Sequence, residues 1–154
     1  MLPLAHRTRP LKILCIEEDA IQRKLLCACM EVIGAECLVA PRAANGIWQF
    51  RRTPVDMVLM DLDWHAKEEI AAFEEMRRPP RWGRSVPILA VTDNDCGWTE
   101  ADYCDAGFAG LYLKPVEPMR LFPTIDAVLR ADHQQPLLDV PHFLHHSPVI
   151  HHAG

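Results

Sequence analysis

Short apolar runs alternate with longer amphipathic segments along most of the chain, and this alternation limits the fold more than any other feature. The apolar runs predict five strands, at 11–16, 37–40, 55–60, 86–91 and 109–113. The segments between and after them predict five helices, at 20–33, 43–52, 65–78, from Thr99 to Gly107, and at 118–130. Strands this apolar are typical of a parallel sheet that helices cover on both faces. We therefore predict an α/β fold with a doubly wound, five-stranded parallel sheet.

The composition indicates one globular domain with short additions at either end. The chain has 154 residues, 49% of them hydrophobic, and a formal net charge of −5. We predict an N-terminal extension over 1–10, a domain over 11–131 and a Pro- and His-rich C-terminal tail over 132–154. The acidic balance argues against DNA binding, and no apolar run is long enough to cross a membrane. Six cysteines without a CxxC motif indicate reduced thiols in a cytoplasmic protein.

Polar residues follow four of the predicted strands at the point where each strand ends. Glu17 and Glu18 follow the first strand, Asp61 the third, Thr92 the fourth and Lys114 the fifth. Ligands of parallel α/β sheets bind at the carboxyl ends of the strands. The sequence therefore predicts one site that is built from these five side chains.

This set of residues resembles the receiver domain of bacterial response regulators, the CheY-like fold, from Leu11 to about residue 131. The resemblance implies that Asp61 accepts a phosphoryl group from a histidine kinase or phosphotransferase, with Thr92 and Lys114 contacting that group. It also implies that Glu17, Glu18 and Asp61 hold Mg²⁺. A carboxylate can attack phosphorus when a metal ion and a cation neutralise the crowded negative charge.

Three departures from the receiver pattern weaken this phosphorylation switch. The second acid of the pair is normally Asp, and here Glu18 is one methylene longer. The aromatic switch residue of the family lies three positions before the lysine, where this chain has Leu111, and strand alternation sends Tyr112 to the opposite face. The loop after the acceptor, Trp64 to Glu69, lacks the usual Pro and Asp-Gly. We expect the usual readout from the threonine to an aromatic residue to be lost.

An arginine-rich stretch joins the third helix to the fourth strand. It contains four arginines around one tryptophan, namely Arg77, Arg78, Arg81, Trp82 and Arg84. The guanidinium group of arginine forms bidentate hydrogen bonds with phosphate groups and with guanine edges, and a tryptophan can stack on a base. A CheY-like domain with such a stretch is similar to a class of cyclic di-GMP effectors that act on the flagellar motor switch. The alternative is a solvated basic loop that pairs with nearby acids, with the tryptophan covering the core.

From these observations we predict a single-domain CheY-like effector, without enzymatic activity, that binds cyclic di-GMP through the arginine-rich stretch. Its predicted partner is the flagellar motor switch, so a cytoplasmic protein would be recruited to the basal body. One alternative is a conventional single-domain response regulator that is phosphorylated on Asp61. Another is an adaptor that binds neither the nucleotide nor a phosphoryl group. The histidines of the tail lack the closing ligands that a functional metal centre needs.

Overall fold

The strands and helices predicted from the sequence all form. A computed structural model describes residues 8–62, 67–78 and 85–134. Of residues 133 and 134 it describes the backbone but not the side chains. The strands are β1 (Lys12–Ile16), β2 (Glu36–Ala40), β3 (Met57–Asp61), β4 (Ile88–Thr92) and β5 (Gly110–Leu113). The helices are α1 (Ala20–Val32), α2 (Ala43–Arg52), α3 (Lys67–Met76), α4 (Glu100–Ala106) and α5 (Pro118–Gln134).

The five strands form one parallel sheet in the order β2-β1-β3-β4-β5. The chain leaves β1 for β2 on one side and then crosses to β3 on the other, so the strand order reverses at β1. In doubly wound sheets the ligand crevice lies at this point of reversal, outside the carboxyl ends of the strands. The predicted fold class is confirmed.

Two apolar layers cover the sheet, one on each face. On one face α1 and α5 bury residues such as Leu26 and Ile125 against alternate strand residues. On the other face α2, α3 and α4 bury residues such as Phe73 and Tyr103 against the intervening ones. β3 and β4 are buried on both sides, as their nearly continuous apolar sequences require.

The ends of several elements differ from the predicted positions by one to four residues. The short helix α4 begins with a capping box between Thr99 and Asp102 and ends, as predicted, at Gly107, whose φ of +108° favours glycine. The last helix continues to Gln134, beyond the predicted end at residue 130, because neither glycine nor proline lies between residue 130 and Pro136. The tail from residue 135 onward lies outside the described residues.

The described part of the N-terminal extension is tied to the sheet. Arg9 donates two hydrogen bonds to the carboxylate of Asp56, each 2.9 Å long, and Leu11 is buried. In the ranges that the structure covers, no helix has the length and apolar character needed to cross a membrane.

Candidate functional site at the carboxyl edge of the sheet

The sheet brings together the polar residues that the sequence places after separate strands. Asp61 is the last residue of β3 and pairs in register with Val91 of β4. Thr92 ends β4, and its carbonyl accepts a hydrogen bond from the backbone N–H of Lys114 at 3.0 Å. Glu17 follows β1 directly. These residues therefore share one edge of the sheet because the strands are parallel and carry them at corresponding ends.

The Lys114 ammonium group lies between two carboxylates. Its Nζ atom is 2.6 Å from Oδ1 of Asp61 and 3.4 Å from Oε2 of Glu17. Glu17 is only 2% exposed. Its Oε1 accepts a hydrogen bond from the backbone N–H of Asp19 at 2.9 Å, whereas Oε2 is buried and accepts no hydrogen bond from the described residues. One cation thus contacts two acids, and the contact with Oε2 of Glu17 is the longer of the two.

Burial and mutual charge shift the proton affinities of this group. Burial raises the pKa of Glu17, and the negative charge of Asp61 raises it further, against the lowering effect of the Asp19 N–H and of Lys114. Burial by itself would lower the pKa of Lys114, but the hydrogen bond and charge of Asp61, together with Glu17, outweigh it and raise that pKa. Lys114 therefore stays charged at neutral pH and holds Asp61 in place by ion pairing.

Thr92 is buried, and its hydroxyl group is already hydrogen bonded on both sides. It donates to the carbonyl of Leu62 and accepts from the backbone N–H of Asn94, both at 3.0 Å. The Asn94 side chain accepts a hydrogen bond from Tyr103 at 2.8 Å and donates one to the carbonyl of Trp98, also at 2.8 Å. The threonine that resemblance assigns to phosphoryl contact is thus linked through one residue to two aromatic residues around α4.

Glu18 and Asp61 line a cleft of about 250 Å³ together with Glu17 and two acids of α3, Glu68 and Glu69. Carboxylate oxygens are the ligands that Mg²⁺ prefers, so the chemistry of this donor set fits the ion. Over the described ranges, however, no three acidic, histidine or cysteine side chains converge closely enough to hold a metal ion. The loop over 63–66 lies outside those ranges.

Tyr112, the aromatic residue of β5, lies on the opposite face of the sheet from Leu111, as strand alternation predicts. Tyr112 is buried in the layer under α1 and α5, and its hydroxyl accepts a hydrogen bond from the Glu117 N–H at 2.8 Å. Leu111 packs against the opposite layer. Tyr112 therefore has a structural role at the start of α5.

The first two arginines of the arginine-rich stretch are engaged with neighbouring helices. The Arg77 guanidinium group donates to the carbonyl of Ala106 at 2.6 Å and lies over the ring of Phe73. It occupies the space where a side chain at Gly107 would stand, so this glycine permits the contact. Arg78 forms an ion pair with Glu75 at 2.8 Å. The predicted ligand residues Arg81, Trp82 and Arg84 lie outside the described residues.

Two residues that support the acidic loop were missed at the sequence level. The Asp19 side chain caps α1 by accepting a hydrogen bond from the Gln22 N–H, and its own N–H holds Glu17. Arg23 donates to the backbone carbonyls of Glu17 and Glu18, at 2.8 and 2.6 Å. An acid just before an amphipathic segment is an N-cap signal that could have identified Asp19, whereas nothing in the sequence indicates the role of Arg23.

Comparisons with known proteins agree on the fold. No model of a known protein family matches the chain. Over 122 residues, 79% of the chain, the sequence is 22% identical to the signal transduction histidine-protein kinase BarA of Shigella flexneri, and 21% identical to that of Escherichia coli K12. The chain spans only 13% of the length of these curated relatives.

Solved structures give the same result with nearly complete coverage of the other chain. The receiver domain of a sensor histidine kinase from Pseudomonas aeruginosa, solved with a magnesium ion in its active-site cleft, superposes with a TM-score of 0.67 at 21% identity, over 79% of this chain and 99% of that one. The chemotaxis response regulator CheY4 of Vibrio cholerae gives a TM-score of 0.68 at 18% identity, over 78% and 99%. The chain has the CheY-like fold of response-regulator receiver domains.

Proposed function

We propose that this chain acts as a phosphoryl-accepting receiver, with Asp61 as the acceptor and a phosphohistidine of a kinase or phosphotransferase as the donor. The observation that carries this proposal is the 2.6 Å contact between Asp61 and Lys114 at the carboxyl edge of the sheet, beside the buried Glu17. An acidic rim without phosphate chemistry would not need a lysine held between two carboxylates.

In the transfer, a carboxylate oxygen of Asp61 attacks phosphorus, an O–P bond forms and the P–N bond to the donor imidazole breaks. Lys114 stays beside the acceptor and neutralises charge that develops on the phosphoryl oxygens. Glu18 and Asp61 are the side chains that would hold Mg²⁺, which supplies further positive charge to the phosphoryl group when it is bound. Arg23 and Asp19 keep the acidic loop in position. The chain then carries the group as an acyl phosphate and has no separate substrate to turn over.

Thr92 and Asn94 provide a readout that does not need an aromatic residue at the position of Leu111. If the Thr92 hydroxyl turns toward a phosphoryl group on Asp61, it gives up its bonds to Leu62 and Asn94. Asn94 is then free to move relative to Tyr103, with which it is hydrogen bonded. The chemical state of Asp61 would thus reach the loop before α4 through hydrogen bonds.

The test is phosphoryl uptake from acetyl phosphate in the presence of Mg²⁺, followed by intact-protein mass spectrometry. The wild-type protein is expected to gain the mass of one phosphoryl group, and Asp61→Asn is expected to gain none. Asp93→Asn is the matched control, because Asp93 is exposed near the same edge, and it should behave like the wild type. Uptake that persists in Asp61→Asn would refute the assignment.

A second candidate function is binding of cyclic di-GMP, which the arginine-rich stretch supports. Arg78 is 73% exposed at the end of α3, where the stretch begins, and its partner Glu75 is also held by Arg51. In this proposal Arg78, Arg81 and Arg84 bind phosphates and guanine edges, Trp82 stacks, and Arg77 anchors the stretch to α4. The complex would then bind the flagellar motor switch, which would bring this cytoplasmic protein to the basal body.

Calorimetric titration with cyclic di-GMP separates the two functions. Saturable binding at micromolar concentration, about −8 kcal/mol, that disappears in the double variant Arg81→Ala/Trp82→Ala would support the effector function. If neither protein releases heat on titration and Asp61 takes up a phosphoryl group, cyclic di-GMP binding is excluded and the receiver function is supported. Absence of both activities would favour the adaptor.

A further inference from the structure

Three cysteine thiols meet where α1 packs on the edge of the sheet. The Sγ atom of Cys37 on β2 lies 3.2 Å from that of Cys27 on α1 and 3.6 Å from that of Cys15 on β1. Residues 13 and 37 are partners in the register between β1 and β2. Cys15 and Cys37 therefore lie on the same face of adjacent strands, and α1 brings Cys27 onto them. All three are free thiols.

The three thiols differ in their access to solvent. Cys15 is completely buried under α1, whereas Cys27 and Cys37 are half-buried. Within the described ranges β2 is an edge strand that pairs with β1, and no further described strand lies beside Cys37. Within the described part of the chain, Cys27 and Cys37 are therefore partly exposed to solvent, whereas Cys15 is not.

The proximity also separates the acidities of the two accessible thiols. Hydrogen bonding with the Cys15 and Cys27 thiols lowers the pKa of Cys37 to about 7, against the raising effect of burial and of Glu31. Burial, followed by the interaction with Cys37, raises the pKa of Cys27 to about 12. Cys37 is thus the more acidic thiol of the pair, and the thiolate is the nucleophilic form of cysteine.

We propose that Cys37 and Cys27 are a site of oxidative modification, at which a hydroperoxide converts the two thiols into an intramolecular disulfide. In the first step the Cys37 sulfur attacks a peroxide oxygen, so that an S–O bond forms, the O–O bond breaks and hydroxide leaves. In the second step the Cys27 sulfur attacks the sulfenic sulfur, the S–S bond forms, and the S–O oxygen departs as water with the Cys27 proton. Overall, two thiols and one hydrogen peroxide give one disulfide and two waters.

The disulfide would join the sheet edge to the helix that supports the acidic loop. Cys27 lies one helical turn after Arg23, whose guanidinium group holds the carbonyls of Glu17 and Glu18. Oxidation would therefore fix α1 on β2 immediately next to that support. This modification depends on the cysteine geometry alone and does not require phosphoryl or nucleotide binding.

The experiment treats the full chain with hydrogen peroxide in a Cys96→Ser/Cys104→Ser background, which removes the two exposed thiols and so prevents cross-linking between molecules. Remaining thiols are alkylated, and the protein is cleaved after glutamate without reduction. Glu31 and Glu36 separate Cys27 from Cys37. We expect an intact mass lower by two hydrogens and a disulfide-linked pair of peptides that contain Cys27 and Cys37.

Single variants identify the two sulfurs. Cys27→Ser should abolish the link and leave a sulfenic acid on Cys37 that dimedone traps, and Cys37→Ser should abolish both products. Cys29→Ala is the matched control on α1, because Cys29 shares a peptide with Cys27, and it should keep the link. The background protein gives the linked peptides even if a variant fails to fold. A link from Cys37 to Cys15 or Cys29, or oxygen addition to Cys37 without any link, would overturn the proposal.

Discussion

Two carboxylates are buried at opposite ends of the same sheet, and they differ in how completely hydrogen bonds compensate their charge. Asp56, 1% exposed, lies just before β3 and accepts two hydrogen bonds from Arg9 and one from the backbone N–H of Lys12 at 2.8 Å. Glu17, 2% exposed, follows β1 at the other end. One of its oxygens accepts no hydrogen bond from the part of the chain that the structure describes, and it lies near a lysine that Glu17 shares with Asp61.

This difference separates a fully hydrogen-bonded carboxylate at the amino edge of the sheet from an incompletely compensated one at the carboxyl edge, where we propose the phosphoryl-accepting site. A buried charge is tolerated when hydrogen bonds compensate its loss of hydration, and Asp56 meets that condition. Glu17 meets it only in part, so its charge costs stability in the state without a bound cation. An incompletely compensated negative charge favours the binding of a cation.

The largest effect on stability is expected from Asp56→Asn. The amide keeps the shape but loses the charge and replaces one acceptor by a donor that faces Arg9. We expect the free energy of unfolding to fall by about 2 kcal/mol, while phosphoryl uptake on Asp61 stays unchanged. Urea denaturation measures the first quantity and mass spectrometry the second.

Arg9→Ala sharpens this prediction, because Arg9 is half exposed and its ion pair is weakened by solvent. We expect a loss of about 1 kcal/mol or less, smaller than that of Asp56→Asn, since the Lys12 N–H keeps its carboxylate partner. Equal losses in the two variants would mean that the ion pair, and not the bond to the backbone, carries the stabilisation.

The amino-acid sequence was sufficient for the carboxyl edge and insufficient for the amino edge. Glu17, Asp61 and Lys114 could be placed together because each directly follows or ends a strand, and the carboxyl ends of parallel strands meet at one edge of the sheet. The bond from Arg9 to Asp56 joins residues 47 positions apart through side-chain reach, which no periodicity encodes.

The cysteine cluster escaped prediction for the same reason. Cys27 and Cys29 lie two residues apart on α1 and have different surroundings, since Cys29 is buried and Cys27 is half-buried. The meeting of Cys27 with Cys37 and Cys15 depends on how α1 is laid across two strands. Packing of this kind is set by the sum of many apolar contacts, so it follows from the assembled fold and not from a motif.

Glu17→Gln is expected to change the free energy of unfolding in the opposite direction from Asp56→Asn. The substitution removes one of two negative charges that share Lys114, and it keeps an oxygen for the Asp19 N–H. In metal-free buffer at neutral pH we expect the free energy of unfolding to rise by about 1 kcal/mol. The rate of phosphoryl uptake should fall, because the site loses part of the charge that attracts Mg²⁺. A loss of stability as large as that of Asp56→Asn would remove the distinction between the two edges.

The smallest predicted effect is the pH dependence of that gain. The pKa of Glu17 in the folded protein is above its ordinary value of 4.5, so the folded state holds this proton more tightly than the unfolded chain does. The contribution of Glu17 to stability is therefore most favourable below pH 4.5, and it is lost as the pH rises through the folded pKa. Lys114 does not interfere in this window, because its raised pKa lies above 10.5 and its contribution is lost only in alkaline solution.

The stability difference between Glu17→Gln and the wild type should thus be small near pH 4.5 and grow to its full size, about 1 kcal/mol, toward neutral pH. Urea denaturation of both proteins at several pH values, with a chelator present throughout, measures this difference directly. A difference that does not change with pH would mean that the buried charge of Glu17 is already compensated. The two edges of the sheet would then differ in hydrogen-bond geometry alone, because Glu17 would carry its charge at as little cost as Asp56.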